Sequence, residues 1–276
     1  MTKNNNNHTS QTEPLQDDKK VLISVRDLCK SYGKLEVLKG LSLDIYEGET
    51  VVILGRSGVG KSVLLRQIIG IEQPNSGSIL IAGEKIGTKV KNRSKPLHKL
   101  GMLFQSSALF DSMSVGDNTA FYLRQNESNL GEKEITRRVA EALEMVDLKD
   151  TQSKMPSELS GGMRKRAALA RLIIYRPDII LYDEPTTGLD PITAMQINDL
   201  INRIQNELNS TSIVVTHDIR SAIEVGDRLA FHSHGKITEI APKPEFIKIK
   251  NPELQSFFEN AILTQDYLNK NMTKGP

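Results

Sequence analysis

The feature that most constrains this chain is an apolar run that leads into a glycine-rich loop and then an apolar helix pattern. EGETVVIL precedes GRSGVGKS at 55–62, and VLLRQIIGI follows it directly. The loop fits the spacing G-x-x-x-x-G-K-[ST], in which a buried strand delivers a loop to the start of a helix. A strand that is apolar throughout is typical of a parallel sheet covered on both faces, so the segment predicts an α/β core.

The residue types in this loop, called the phosphate loop below, are those that hold a triphosphate. Gly55, Gly58 and Gly60 let backbone N–H groups close on a β-phosphate, Lys61 neutralises β/γ charge, and the Ser62 hydroxyl is a Mg²⁺ ligand. A plain glycine turn is the alternative, and the strand–loop–helix context disfavours it. The nucleotide-binding set predicted here also includes the remaining residues of the segment, Arg56, Ser57, Val59 and Val63.

A second acidic element follows another apolar run, IILYDE at 179–184. Asp183 is placed to hold the Mg²⁺ shell, and Glu184 to polarise an attacking water. Two solvated acids at a strand end are the alternative, which the upstream phosphate loop makes the weaker interpretation. The sequence therefore predicts a nucleoside-triphosphate site with ATP and Mg²⁺.

A second glycine turn, LSGGMRKRAALAR at 159–171, raises a question that the phosphate loop does not answer. It also sets a helix start beside glycines, which is a natural phosphate site because free N–H groups and the positive end of the helix dipole face the ligand. One ATP does not need two such turns from one chain.

The rest of the chain alternates strands and helices. Strands are predicted in the β-rich runs 21–28 and 37–45 and in the apolar runs 178–184 and 211–218, and a helix at 192–208. Between about 106 and 170 only helical patterns occur, which predicts a helical insert. RLAFHSHGKITEI predicts a hairpin around His-Gly. Near the end, a helical stripe is formed by Leu254, Phe257, Phe258, Ala261 and Ile262.

Composition excludes several classes of protein. Hydrophobic residues make up 38% and charged residues 25%, and the net charge is only +2, so nucleic acid is not an expected partner. No apolar run reaches the length of a membrane span, and residues 1–19 are expected to be a disordered leader rather than a secretory signal. Cys29 is the single cysteine, expected to be inert, although a reactive thiol is the alternative. These points predict a cytoplasmic chain that reaches a membrane only through a partner.

Taken together, the motifs resemble those of one family, the ATP-binding-cassette (ABC) ATPases, from about 21 to 240. Tyr32 in KSYGK resembles the aromatic residue that stacks on adenine, and Gln105 in MLFQ the glutamine that reaches Mg²⁺ and senses the membrane partner. LSGGM, with Ser160, Gly161 and Gly162, resembles the family signature. Two further matches are Asp190 in TTGLDP, which resembles the aspartate that communicates between monomers, and His217 in VVTHD, which resembles the γ-phosphate switch histidine.

This resemblance implies a P-loop NTPase (RecA-like) cassette with an antiparallel β subdomain and an α-helical subdomain, over 20–240, followed by a partly helical C-terminal extension at 241–276. It also implies that two cassettes face each other head to tail, each ATP lying between one phosphate loop and the partner's signature. Hydrolysis would then use Glu184, His217 and Lys61. Mg²⁺ would be held by Ser62, Gln105 and Asp183.

Finer features resemble the cassettes of Mla/Mce lipid-transport systems. These are Val63 after GKS, Met163 after SGG, and SSALFDSMSVGDN after Gln105. The resemblance implies a homodimer bound to integral membrane permease subunits on the inner face of the cell membrane, an MCE-type lipid-binding protein as a further partner, and phospholipid as cargo. An importer cassette for amino acids or other polar solutes shares every catalytic motif, and a soluble non-transport ABC protein or a regulator without turnover are weaker alternatives.

Several features have two possible interpretations from the sequence alone. Tyr32 and His217 could be ordinary packing or structural residues, although the motif spacing favours their roles in the site. His232 and His234 could bind metal, although a hairpin tip is favoured. An apolar lip at Leu109, Phe110, Met113 and Val115 could dock a permease helix or pack in the core. The stripe at 254–262 could clamp a neighbouring subunit or fold back, and the basic stretch 85–99 could meet lipid headgroups or be a solvated loop.

Overall fold

The computed structural model describes residues 20–86 and 99–260. The strands of this part are β1 (Val21–Tyr32), β2 (Leu35–Tyr46), β3 (Thr50–Leu54), β4 (Ser76–Ile81), β5 (Glu84–Lys85), β6 (Leu100–Leu103), β7 (Ile179–Asp183), β8 (Thr211–Thr216), β9 (Arg228–Ser233) and β10 (Lys236–Pro242). The helices are α1 (Lys61–Ile68), α2 (Val115–Asn126), α3 (Glu132–Met145), α4 (Gly161–Ile173), α5 (Pro191–Leu208), α6 (Ile219–Val225), α7 (Lys243–Phe246) and α8 (252–260).

The strands form two sheets, as the ABC cassette resemblance implies. An antiparallel sheet has the order β2-β1-β4-β5. The larger sheet has the order β10-β9-β3-β8-β7-β6, with parallel pairing everywhere except between β9 and β10. Since strands of a parallel sheet end at the same edge, the segments that follow β3, β6, β7 and β8 are brought together there.

The central strands carry unbroken apolar runs because both faces of the large sheet are covered. All five residues of β3 and all five of β7 are buried. Their side chains alternate between two cores: Val52 and Leu54 pack with the helices, whereas Val51 and Ile53 pack with α1 and the antiparallel sheet. This double burial explains the unbroken apolar runs from which the sequence predicted these strands.

The stretch 106–170 holds helices and no strand, as expected from its periodicity, and α4 continues to Ile173. α2, α3 and α4 join the core on one face of the large sheet, where Leu123, Leu143 and Leu169 are fully buried. β6, which was not predicted, is the edge strand that leads into this stretch. Its four residues are too few to show a pattern, and one of them is Gly101, whose Cβ would lie 2.7 Å from the Tyr175 hydroxyl.

The C-terminal stripe folds back on its own chain. Leu254 is fully buried and Phe257 is buried against the same core as the helices. The rings of Phe231 and Phe257 lie 5.4 Å apart, which fixes α8 against β9. Ala261 and Ile262 lie outside the described residues, as do the leader 1–19 and most of the basic stretch, 87–98.

Within the described part of the chain, no helix combines the length and the apolar character needed to cross a bilayer.

Candidate functional site

The site forms at the carboxyl edge of the large sheet, where four strands end side by side. In the register, Leu54 at the end of β3 pairs with Thr216 at the end of β8, and Val215 pairs with Asp183 at the end of β7. β6 ends beside β7, two residues before Gln105. The sheet therefore places the phosphate loop, His217, the two acids and Gln105 in one neighbourhood.

The phosphate loop needs its glycines for two different reasons. Gly58 and Gly60 have φ of 81° and 106°, in the region that residues with a side chain rarely adopt. A Cβ on Gly60 would also lie 2.5 Å from Val37 Cγ1. At Gly55 only the close contact excludes a side chain, because a Cβ there would lie 2.5 Å from the carbonyl oxygen of His232.

Lys61 lies under this loop with its ammonium satisfied by the protein itself. Nζ donates to the carbonyl oxygens of Gly55 at 2.8 Å and Arg56 at 3.0 Å, and lies 3.3 Å from Glu184 Oε1. Burial lowers the pKa of Lys61, against the attraction of Glu184 and Asp183. A buried cation held by bonds that a phosphate oxygen could replace is suited to an incoming triphosphate.

Ser62 and Asp183 form the second half of the phosphate end. The Ser62 hydroxyl donates to Asp183 Oδ1 at 2.7 Å, and burial raises the pKa of Asp183 against this bond. A hydroxyl, a carboxylate and an amide oxygen are the hard ligands that Mg²⁺ prefers, and the exposed side chain of Gln105 faces the same pocket. These residues fit a Mg²⁺ ion bound together with substrate phosphates.

Glu184 is the most constrained residue of the site. It follows β7 with φ of 48°, and its N–H donates to Val215 O at 2.9 Å. Its Oε2 accepts from His217 Nδ1 at 2.9 Å and from Thr187 Oγ1 at 3.0 Å. A left-handed conformation at a residue with a side chain costs about 1–3 kcal/mol and persists only where its surroundings impose it. The main chain and side chain of Glu184 are both fixed.

The charges around Glu184 keep it ionised. Burial raises its pKa, but the hydrogen bond from His217 and the nearby Lys61 ammonium outweigh burial, and the net pKa lies below its ordinary value. The same hydrogen bond raises the pKa of His217, against burial. A carboxylate that stays ionised is able to accept a proton or orient a water, as a general base must.

Tyr32 lines the same pocket as Glu184 and His217. The residue is 44% exposed, and its hydroxyl donates to Glu72, which Arg66 Nε of α1 also binds at 2.7 Å. Lys30 Nζ lies over the ring, 5.2 Å from its centroid, and a partly exposed ring with an anchored hydroxyl suits stacking on a flat base through its other face. Ordinary core packing of Tyr32 does not account for that exposure.

One pocket brings these groups together. Part of the phosphate loop and the residue after it line the pocket, namely Ser57, Gly58, Gly60, Lys61, Ser62 and Val63. The other predicted residues of its lining are Tyr32, Gln105, Glu184 and His217. Arg56 and Val59 instead line a neighbouring depression that Gly58 shares. Val63 has its side chain buried in the core, so it supports the helix start more than it faces the pocket.

The second glycine turn lies outside that pocket. Ser160 is the N-cap of α4, and its Oγ accepts from Met163 N at 3.3 Å. Gly162 has no room for a side chain, since its Cβ would lie 2.6 Å from Thr193 Cγ2. Asp190 caps α5 through bonds from Ile192 N and Thr193 N at 3.1 and 3.0 Å. Of the described residues that line the pocket, none comes from Ser160–Gly162 or is Asp190.

Comparison with known proteins decides the family. A family model described as ABC transporter matches residues 38–187. The chain belongs to the ABC transporter family. It is the ATP-binding subunit that couples ATP hydrolysis to transport, and its cassette fold agrees with solved members.

Three similar proteins illustrate the range of the family. The chain is 39% identical to protein TRIGALACTOSYLDIACYLGLYCEROL 3, chloroplastic, from Arabidopsis thaliana, over 90% of this chain and 76% of the relative. It is 40% identical to the probable ribonucleotide transport ATP-binding protein mkl of Mycobacterium leprae, over 86% and 68%. The dimeric post-hydrolysis state of the cassette MJ0796, bound to ADP and Pi, matches with a TM-score of 0.72 and 31% identity, over 80% of this chain and 99% of the other.

The residues of the apolar lip differ in whether they pack in the core or remain exposed for docking of a permease helix. Val115 is fully buried and Leu109 packs against the core, whereas Phe110 is 41% exposed. Asn118, fully buried, fixes the loop by donating to the carbonyl oxygens of Phe110 and Met113, both at 3.0 Å. Of these four lip residues, Phe110, whose ring also lies 4.9 Å from that of Phe121, is the most exposed, and it sits with the half-buried Met113 on a loop with a fixed shape.

Besides the apolar Leu35 and Val37, the sequence missed one polar residue of the pocket, Thr187, and one residue behind it, Lys165, which does not line the pocket. Thr187 lines the pocket and donates to Glu184, and its place three residues after an acid at a strand end was the available signal. Lys165 on α4 is 4% exposed and donates to the backbone oxygen of Gln105. Burial lowers the pKa of Lys165 against the attraction of Asp183 and Glu184. A lysine on the face of α4 that also carries Ala168, Leu169 and Leu172 was the signal for it.

The prediction that His232 belongs to a hairpin tip is wrong, although His234 and Gly235 do form the turn with φ of 50° and 80°. His232 lies within β9 and is 1% exposed, and neither ring nitrogen has a hydrogen-bond partner among the described residues. Burial lowers its pKa to about 4. The error arises because the turn needs only the His-Gly pair, and the strand extends to Ser233.

Proposed function

We propose that this cassette hydrolyses ATP by attack of a water that Glu184 polarises and His217 helps to orient. The observation that carries the proposal is the arrangement of Glu184, which accepts from His217 at 2.9 Å and lies 3.3 Å from Lys61 in the pocket of the phosphate loop. In this proposal the ionised carboxylate of Glu184, with its fixed backbone, would lie beside the γ-phosphate. General-base assistance of this kind contributes about 10²–10⁴-fold to a rate.

The other residues of the pocket each bind a different part of the ATP. The ring of Tyr32 stacks on the adenine, and the N–H groups of 55–61 surround the β-phosphate. Lys61 turns from the carbonyl oxygens of Gly55 and Arg56 to the phosphates and stabilises the charge on the transferring group. Its departure frees Oε1 of Glu184 for the attacking water, so substrate binding itself releases the base.

Mg²⁺ is the cofactor that this donor set supports, held by Ser62, Gln105 and Asp183. When bound, it would neutralise phosphate charge and help align the leaving group. The Ser62–Asp183 hydrogen bond of 2.7 Å keeps hydroxyl and carboxylate adjacent for that purpose.

We infer that each site is completed by a second copy of the cassette. The signature turn, Ser160–Gly162, is outside the chain's own pocket, yet its glycine amides stand at a helix start where N–H groups lack intrahelical acceptors. In a head-to-tail homodimer these amides bind the γ-phosphate held by the partner's phosphate loop. Asp190 is close to them because it accepts a hydrogen bond from Thr193, which packs against Gly162. The dimeric state of MJ0796 supports this assembly.

The cargo that we propose is phospholipid, moved by an Mla/Mce-type system. Similarity over 90% of the chain to a protein named after a galactolipid supports it, together with the resemblance of Val63, Met163 and the segment after Gln105. The cassette would bind permease subunits on the inner face of the cell membrane through Phe110 and Met113, beside Gln105. An MCE-type lipid-binding protein is the further partner proposed.

One experiment tests cargo and partners together. The tagged cassette is isolated from membranes of its host in mild detergent, and the complex is analysed by protein and lipid mass spectrometry. The proposal expects a permease, an MCE protein and enriched phospholipid, all reduced in a parallel preparation of a Phe110→Glu variant. A permease that copurifies with a solute-binding protein and no bound lipid would contradict the lipid proposal while leaving the ATPase intact.

The alternative is transport of a polar solute, and the similarity to the mycobacterial mkl protein favours it. The isolated complex in vesicles distinguishes the two. ATP-dependent movement of a fluorescent phospholipid between vesicles supports lipid transport, whereas ATP-dependent uptake of a ribonucleotide supports the alternative.

A further inference from the structure

The described residues contain a second buried lysine that the hydrolysis mechanism does not use. Of their lysines, only Lys61 and Lys165 are buried, at 5% and 4% exposure. An ammonium group that is removed from water costs several kcal/mol unless it is hydrogen-bonded or paired. Lys165 lies on the same face of α4 as Ala168, Leu169 and Leu172, where an apolar residue would pack without that cost. Its presence calls for a role beyond packing.

Lys165 bonds to the backbone at the cassette's sensor. Its Nζ donates to the carbonyl oxygen of Gln105, sixty residues earlier in the chain. The turn that follows is strained, because Ser107 and Ala108 are consecutive left-handed residues with φ of 66° and 47°. Strain of this kind persists only where the surroundings impose it, and the bond from Lys165 is one of the contacts that holds the turn.

The same side chain is close to the acids of its own site. Asp183 and Glu184 are the two carboxylates whose charge acts on the Lys165 ammonium. The Lys165 ammonium therefore bonds to the Gln105 backbone while it feels the charge of these two carboxylates. Its Cα is five residues, about one and a half helical turns, from the N-cap Ser160.

We propose that Lys165 is a positioning residue that couples the Gln105 turn of a chain's own site to the signature turn that the chain presents to its partner's ATP. This rests on the shared-site assembly proposed above. A triphosphate that draws Gln105 towards the pocket moves the carbonyl oxygen to which Lys165 is bonded. Because α4 is a rigid element that begins at the signature turn, the displacement moves Ser160–Gly162 with it. Occupation of one site then prepares the other.

The test compares Lys165→Met, which keeps a long stem without a donor, with Lys165→Arg, which keeps the donor. Lys149→Met, on a surface side chain that is 71% exposed, is the matched control. Each is combined with Glu184→Gln, which holds ATP unhydrolysed. The first measurement is the ATP affinity of the dilute single chain, determined by titration with a fluorescent ATP analogue. The second is the ATP-dependent dimer affinity by analytical ultracentrifugation.

The proposal predicts that Lys165→Met keeps the single-chain ATP affinity within about twofold and weakens the ATP-dependent dimer by about tenfold, in the range of measured coupling energies. Lys165→Arg should recover most of the loss, and Lys149→Met should match the parent. Hydrogen exchange should show ATP-dependent protection of 160–164 in the dilute parent chain and none in Lys165→Met.

Two outcomes overturn the coupling role. A Lys165→Met chain that dimerises as tightly as the parent, or one in which 160–164 still responds to ATP, makes Lys165 a packing residue. If Lys165→Met does not fold, Lys165→Leu, which also lacks a donor and keeps an apolar side chain on this face of α4, gives the same comparison against Lys165→Arg. If the Glu184→Gln parent itself stays single with ATP, the shared site is wrong rather than the coupling through Lys165.

Discussion

His217 Nδ1 lies 2.9 Å from Glu184 Oε2, and this contact joins the ends of β8 and β7. A carboxylate can only accept, so Nδ1 carries the proton and Nε2 is left to face the pocket as an acceptor or, when protonated, as a donor. The raised pKa of His217 and the lowered pKa of Glu184 are two sides of this bond. We therefore expect the pair to hold a water against a γ-phosphate.

Replacement of the base should separate binding from hydrolysis. Glu184→Gln keeps the size and the contact with His217 but removes the proton acceptor, so phosphate release should fall by about 10²–10⁴-fold. ATP affinity should remain, because Lys61 and the loop amides are untouched. Phosphate release and equilibrium nucleotide binding measure the two quantities. A variant that turns over at the parent's rate would exclude Glu184 as the base.

Removal of the loop lysine should act on binding itself. Lys61→Ala deletes the cation that faces the phosphates, and hydrogen bonds to charged groups are each worth about 1.5–3 kcal/mol, so ATP affinity should fall roughly 10- to 100-fold. Lys20→Ala, at a surface side chain that is 67% exposed, is the control and should bind as the parent does. Isothermal titration measures both, and unchanged ATP affinity in Lys61→Ala would contradict the site.

The aromatic ring of Tyr32 should matter more than its hydroxyl. Tyr32→Ala removes stacking on the base, and the loss of such stacking by alanine substitution costs about 1–3 kcal/mol of binding free energy. The variant should therefore raise KM for ATP by about tenfold or more, with kcat little changed. Tyr32→Phe retains the ring and loses only the bond to Glu72, so its KM should rise less. Steady-state kinetics distinguish them, and equal effects of the two variants would mean that the ring does not stack.

Buried His232 should make the cassette labile to acid. Burial lowers its folded pKa to about 4 from an ordinary 6.5, so the unfolded chain binds a proton first as the pH falls. The stabilising contribution is complete above about pH 6.5 and is lost as the pH falls towards 4, with an upper limit of roughly 3 kcal/mol. His232→Leu removes the group, so its free energy of unfolding should decline less between pH 7 and pH 5.

The matched control for that comparison is His234→Asn. His234 is the same residue type, its side chain is 83% exposed, and Asn tolerates its φ of 50°. Urea unfolding at pH 7 and pH 5 should show the wild-type pH dependence in His234→Asn and a smaller one in His232→Leu. A His232→Leu chain with the full wild-type dependence would show that another group carries the acid lability.

The phosphate loop and the central strands were predictable because local physics determines them. β3 and β7 are buried on both faces, so their apolar runs are unbroken, and Gly58 and Gly60 are required by their own φ values. The same holds for α5, where Ile197, Leu200, Ile201 and Ile204 are buried at helical spacing. Each signal lies within a few residues of the feature that it predicts.

The features that sequence did not predict depend on distant partners. Lys165 reads as one more basic residue of MRKR until the fold brings Gln105 to it. The burial of His232 depends on β3, to which β9 pairs from almost 180 residues away. Whether Phe257 would fold back depended equally on Phe231 and the core around it. The spacing of Lys165 on α4 indicates burial, but no local pattern identifies the partner residue in any of these long-range contacts.

The central claim is that each ATP is held by the phosphate loop of one chain and the signature turn of another. Mixed dimers with two affinity tags test it most directly. A Lys61→Ala chain paired with a Ser160→Arg chain has one intact site only if sites are shared, and should hydrolyse ATP at about half the wild-type rate per dimer. A wild-type chain paired with the double variant should then be inactive. Activity in the second dimer and none in the first would contradict the account.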